Sequence, residues 1–238
     1  MSAAFRTCVT SAWLHLALGL LAQPEHTNWF FGSGAGISFA GGSPVAFTGS
    51  AINSFEGCAS ISDPSGDPLF YCDGVTVYDA LGVPMPNGTG MAGSTSSCQG
   101  VLIVPVPGDP RKYYVFLVPS QIGQTSTFDF MSWSVVDMDL NGGYGDVIEK
   151  NMPLLTHATE QLAAAYHANG RDVWVLTRLF GTEAWYAYLV TCAGIAPPVV
   201  SNAGQAVRSV DPIDTQAALG WMDISGDGTR IASIWNDY

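Results

Sequence analysis

The stretch Asp137–Glu149, DMDLNGGYGDVIE, is where residue types and spacing come nearest to a chemical site. Asp137, Asp139, Asn141 and Gly142 occupy positions 1, 3, 5 and 6 of an EF-hand-type calcium loop, in which oxygen ligands hold a hard cation. The twelfth position should be a bidentate Glu, but here it is Ile148, and Glu149 follows one residue late. The chemistry open to Asp137, Asp139 and Asn141 is therefore calcium binding in a loop of another shape. A glycine-rich surface turn after a strand is the competing use of the same composition. Asp223–Gly228, DISGDG, has similar spacing and no carboxylate at the far end.

A second concentration of reactive types runs from Glu56 to Gly74, EGCASISDPSGDPLFYCDG. Asp63, Ser65, Gly66 and Asp67 are residues that make tight turns cheaply, because Gly takes positive φ and Asp and Ser bond their own backbone. A hairpin centred on Ser65 sets Cys58 opposite Cys72, which allows a cross-strand disulfide or two packed thiols. None of the cysteine spacings forms a C-x-x-C zinc pair. Acid–base cleavage of a polysaccharide would need paired carboxylates, and Asp73, Asp137 and Asp146 are the acids to inspect.

Nucleophilic catalysis finds little support. The serine-rich GSTSSCQG (Gly93–Gly100) lacks the G-x-S-x-G elbow. His26, His157 and His167 are scattered, and His167 sits in YHANGRD, where a turn-stabilising hydrogen bond is the expected role. GSGAG (Gly32–Gly36) would cradle phosphate only if a helix began after it. ISFAGGSPVAF follows instead and reads as strand and turn. Asn87-Gly88-Thr89 is a glycosylation acceptor pattern, with a turn as the default reading.

The elements that must position these residues are hairpins. CASISD–PSGD–PLFYC, VLIVPV–PGDPRK–YYVFLV, LAAAYH–ANGR–DVWVLT and LGWMDI–SGDG–TRIASIW each join two apolar or β-branched runs through a Gly/Asp/Asn turn. Their turn glycines are Gly66, Gly108, Gly170 and Gly228, at intervals of roughly 40–60 residues, the size of a propeller blade. NWFFGSGAGISF before the first and DFMSWSVVDMDL and EAWYAYLVTC between them add further strands, and Trp185 and Tyr188 are expected to pack in the core or between blades. The fold class expected is all-β, a partial β-propeller of about three to four blades.

Of the 238 residues, 47% are apolar and only 12% charged, so a sizeable core is available and disorder is not expected. The net charge of −12 repels a phosphate backbone and argues against nucleic acid as partner. The apolar run Ala12–Ala22 behind Arg6 is too short to span a bilayer and reads as the core of a secretory signal peptide covering residues 1–22. Residues 23–238 then form the exported domain, in which disulfides are permitted.

Several long stretches, among them EGCASISDPSGDPLFYCDGVTVYD, MPNGTGMAGSTSSCQGVLIVPVPGDPRKYYVF and SVVDMDLNGGYGDVIEKN, resemble the N-terminal β-propeller region of large secreted and cell-surface proteins of the Bacteroidetes. Those proteins are associated with type nine secretion. The resemblance implies an exported module, adhesive or gliding-associated, belonging to a seven-bladed ring, and it brings no catalytic residues. Cys72 and Cys98 stand where the family usually has Thr or Ser, and Tyr78 where Trp is common. The chain finishes about three and a half blades in, which leaves a truncated ring or a gene fragment with open strand edges. The expected function is a non-catalytic interaction or adhesion scaffold at the cell surface or in the periplasm. It would take an unknown protein or glycan ligand, with calcium as the one cofactor to consider and self-association through open edges as a further route. A polysaccharide hydrolase or lyase, or a non-functional fragment, is the alternative.

Overall fold

The computed structural model describes residues 24–121, 128–208 and 216–236; the expected signal peptide lies outside them. Among the described residues the chain is all-β, with short 3-10 turns at Pro24–His26, Asn141–Gly143 and Gln216–Ala218 and no helix long and apolar enough to cross a membrane.

Five small antiparallel sheets follow one another along the chain. The first holds β1 (Asn28–Phe31), β2 (Ser33–Ser38) and β3 (Val45–Asn53). The second is β4 (Ala59–Ser62), β5 (Pro68–Cys72), β6 (Thr76–Asp79) and β7 (Pro84–Thr89). The third is β8 (Val101–Val106), β9 (Asp109–Leu117), β10 (Phe130–Asp137) and β11 (Asp146–Thr156). The fourth is β12 (Ala163–Tyr166), β13 (Val173–Arg178), β14 (Ala184–Thr191) and β15 (Gly194–Ile195), with β16 (Val199–Asn202) also paired to β14. The fifth is the hairpin β17 (Gly220–Ile224) and β18 (Ile231–Trp235). Strands pair with their sequence neighbours, the low-entropy way to close short loops, except that β16 returns to β14 and not to β15.

The alternation of side chains along β9 fixes how the sheets stack. Tyr113, Val115 and Leu117 point into a core shared with Ile61, Phe70, Cys72, Val77 and Met85 of the second sheet. Tyr114, Phe116 and Val118 point the other way, into a core shared with Val173, Val175, Tyr188 and Val190 of the fourth. The third sheet is thus buried on both faces, which is why YYVFLV is apolar without a break. Phe70 meets Tyr113 edge-on at 5.4 Å, while its neighbour Tyr71 stacks on Phe30 of the first sheet at 4.3 Å. Burying side chains of this size contributes about 1.5–3 kcal/mol each.

Four strands that open their sheets lie side by side: β4 touches β8, β8 touches β12, and β12 touches β17. β1 differs. Ser60 Oγ donates to Asn28 O and Cys58 Sγ donates to Phe30 O, so β1 runs against β4.

All four expected hairpins are present, with two corrections. In the first, Ile61 pairs with Phe70 but Ser62 pairs with Pro68, so Leu69 is an extra residue and the register slips by one. Cys72 consequently faces Ala59 rather than Cys58, and both cysteines are free thiols. In the second, the turn is only Pro107-Gly108, and the residues DPRK begin β9 instead of extending the loop. Gly108 takes φ +86, the left-handed conformation such a two-residue turn requires.

Candidate functional site

The shared edge of the opening strands creates a concavity. A cleft of about 450 Å³ is lined by Ile61 of β4, Leu102 and Val104 of β8, Ala165 of β12 and Ile224 of β17. Glu25, His26 and Asp227 stand at its rim. Its walls are apolar because short strands such as VLIVPV and LAAAY carry small or branched side chains on successive positions. Its polar groups come from turns, and Asp227 already braces its own. Asp227 Oδ1 accepts from Ser225 Oγ and from Thr229 Oγ1 and N. Those bonds hold its carboxyl down at about 2. The cleft can therefore accept apolar or stacking surface, with Asp227 committed to its own turn.

The acids expected to do chemistry are occupied elsewhere. Asp73 is buried, and its Oδ1 accepts from Val75 N (3.0 Å) and Thr76 N (2.8 Å), while Tyr78 Oη donates to Oδ2 at 3.3 Å. It closes the turn between β5 and β6. Asp137 ends β10, braces its own turn by accepting from Asp139 N, and lies 3.6 Å from Lys112 Nζ. Asp139 pairs with Arg111 Nε at 3.0 Å, so two of the three residues of the expected calcium loop face cations of β9. Asn141 takes φ +51 and starts the 3-10 turn that Gly142 and Gly143 continue at positive φ. Asp137 and Asp146 are register partners across β10 and β11, yet Asp146 is bonded to Asn87 Nδ2 of β7 and neither lines the cleft. The same use of acids recurs: Asp63 accepts from Ser65 N and Asp67 N, and Asp79 from Leu81 N and Val83 N. Several acidic residues among those described are thus turn braces.

His167 has the turn role expected of it, its Nδ1 accepting from Asn169 N at 3.1 Å. Gly32 makes the β1–β2 turn at φ +62, so the glycine cluster is hairpin and not a phosphate cradle. Asn87, read as a turn residue, lies within β7 at φ +57. Tyr188 is buried between the third and fourth sheets; Trp185 stacks on the Arg178 guanidinium at 4.5 Å.

A cluster not foreseen lies at the opposite end of the opening strands. Glu56, Cys98 and Glu160 bring one carboxylate oxygen, a thiol and another carboxylate oxygen within 4.8 Å of one another. Glu56 is exposed, Cys98 half-buried and Glu160 wholly buried. Glu160 Oε1 accepts from Ser120 Oγ (3.1 Å) and Gln121 N (2.7 Å), and Oε2 accepts from Cys98 N (3.0 Å). Burial pushes the Glu160 carboxyl above the usual carboxylate range despite these donors, and the charge of Glu56 adds to the push. Burial likewise raises the Cys98 thiol, with Glu56 and Glu160 adding repulsion. Gly57 is needed beside the cluster, because a Cβ there would overlap Ser97 O and Gly100 N.

Glutamines next to the cluster tie in the fifth sheet. The Gln99 amide donates to Met222 O (2.9 Å) and accepts from Met222 N (2.6 Å), acting as a strand edge for β17. Gln161 Nε2 donates to Ile234 O, and its Oε1 accepts from Ser233 Oγ. These residues were legible in one respect only. Glu56, Cys98 and Glu160 each stand ten residues before a turn glycine, Gly66, Gly108 and Gly170, and Gln99 and Gln161 each stand nine before.

No family model matches this chain, and neither a curated protein nor a solved structure matches it.

Proposed function

We propose that this chain is an exported, non-catalytic binding module of β-propeller type, akin to those of secreted and cell-surface proteins of the Bacteroidetes. Its ligand, a protein or glycan, docks in the cleft between the opening strands. One observation carries the proposal: β4, β8, β12 and β17 lie side by side in chain order and together line one apolar cleft. In a propeller the opening strand of every blade faces the central axis, where ligands bind. A hydrolase or lyase fares worse, because Asp73, Asp137 and Asp146 each hold their own turn, cation or amide partner outside the cleft.

Self-association is a second mode of binding with an observation of its own. Among the described residues the fifth sheet has two strands, and Trp221, Ile231 and Ile234 on it are exposed. Such an edge pairs readily with another strand.

The test is a fluorescence titration of the full chain with Nile red, a neutral apolar probe, beside its Ala165→Trp variant. Saturable binding that the variant loses supports docking in the cleft, and binding unchanged by Ala165→Trp refutes it. Release of reducing ends from a polysaccharide incubated with the chain would refute the non-catalytic part.

A further inference from the structure

We propose that Glu56, Cys98 and Glu160 bind one divalent cation of the borderline, thiol-accepting class, of which zinc is the type. The site lies where the second, third and fourth sheets begin. Each ligand precedes the opening strand of its sheet by three residues, Ala59, Val101 and Ala163 respectively. The three positions are therefore equivalent in three successive sheets, and their side chains converge on one point because the opening strands do.

Charge argues in the same direction. Glu160 is wholly buried, yet no Lys, Arg or His among the described residues forms an ion pair with it. Its neighbours in the cluster are a second carboxylate and a thiol, so every ionisable group at the point is an acid. Three hydrogen bonds support the buried carboxylate, and an opposite charge or a proton would balance what they leave. A cation would supply that charge, and the thiol proton would leave to solvent as the Cys98 thiolate forms its bond to the metal.

Geometry and chemistry define the class. Donors up to 4.8 Å apart need to draw together by up to about 1.3 Å to reach the separations of roughly 3.5 Å that tetrahedral bonds of about 2.0–2.3 Å impose. A thiolate beside two carboxylates selects zinc and related ions over calcium and magnesium, which prefer oxygen alone. Ser120 Oγ, Gln121 N and Cys98 N fix the orientation of Glu160, as outer partners of a metal ligand do. Glu56 is exposed, so the cation enters from solvent on that side and keeps water there as a further ligand.

Cobalt(II) is the probe. Titration of the reduced full chain is expected to give a thiolate-to-cobalt charge-transfer band that saturates at one equivalent. Zinc should displace the band, and a large excess of calcium should leave it. Cys98→Ser should abolish it, Cys58→Ser and Cys192→Ser should keep it, and Glu56→Gln should weaken binding at least about tenfold. Glu56 is exposed, so Glu56→Gln tests the site without threatening the fold. No band, a band that survives Cys98→Ser, or an affinity unmoved by Glu56→Gln would overturn the proposal. None of these results depends on whether the cleft at the other end of the strands binds Nile red.

Discussion

Replacing Gln99 by Met keeps the length and flexibility of the side chain and removes its amide. The Met222 N–H and C=O then lose partners at 2.6 and 2.9 Å in a residue that is almost fully buried. A buried backbone group left unsatisfied costs about 1–3 kcal/mol, so losing both costs about 2–4 kcal/mol after partial hydration. The fifth sheet keeps its other ties, from Gln161 to Ile234 and Ser233 and from Glu160 N to Ala218 O. The cost should therefore appear as local opening of β17 and β18 and not as global unfolding. At 1.4 kcal/mol per decade, hydrogen exchange in Gly220–Trp235 should speed by about 30- to 700-fold. Amides of β9 and β10 should keep their rates. Unchanged exchange in Gly220–Trp235, or an equal rise in every sheet, would refute the idea that this side chain stands in for a neighbouring strand.

Thiol labelling should rank the cysteines by burial: Cys192 first, Cys58 and Cys98 more slowly, and Cys72 only on unfolding, because burial drives its thiol far above the ordinary value. Fewer than four reactive thiols in denaturant, among residues 23–238 without reductant, would instead reveal a disulfide. Phe116→Ala empties a fully buried site between the third and fourth sheets and should cost about 3–5 kcal/mol in a denaturant titration, with a cost under 1 kcal/mol contradicting the two-faced core. The Asp227 carboxyl is held low by Ser225 and Thr229, so it stabilises its turn above its unfolded value of about 3.9 and loses that contribution as pH falls through about 2. A carboxyl titration by NMR with a midpoint near 4 would contradict these bonds.

How much was legible in the sequence depended on whether the signal was local. VLIVPV, YYVFLV and DVWVLT are apolar runs closed by turn glycines, and hairpins follow from those two facts. The turn role of the acids was also local, since an Asp two to four residues from the N–H it accepts needs no tertiary structure. The bulge at Leu69 was not visible, because nothing in SDPSGDPLF marks which residue goes unpaired. That one residue decided whether Cys58 met Cys72. The calcium-like spacing at Asp137 carried no sign that Arg111 and Lys112, more than twenty residues earlier, pair with two of its carboxylates across the sheet. The cluster of Glu56, Cys98 and Glu160 depends on sheets stacking around a common line. Its one trace in the sequence was the shared spacing to the turn glycines.

The arrangement of the opening strands around that line is tested most directly by methyl–methyl NOE spectroscopy on the full chain. Cross-peaks are predicted from Ile61 to methyls of β8, from methyls of β8 to Ala164 or Ala165, and from those alanines to Ile224. Strong cross-peaks within each hairpin, with none between successive opening strands, would contradict it.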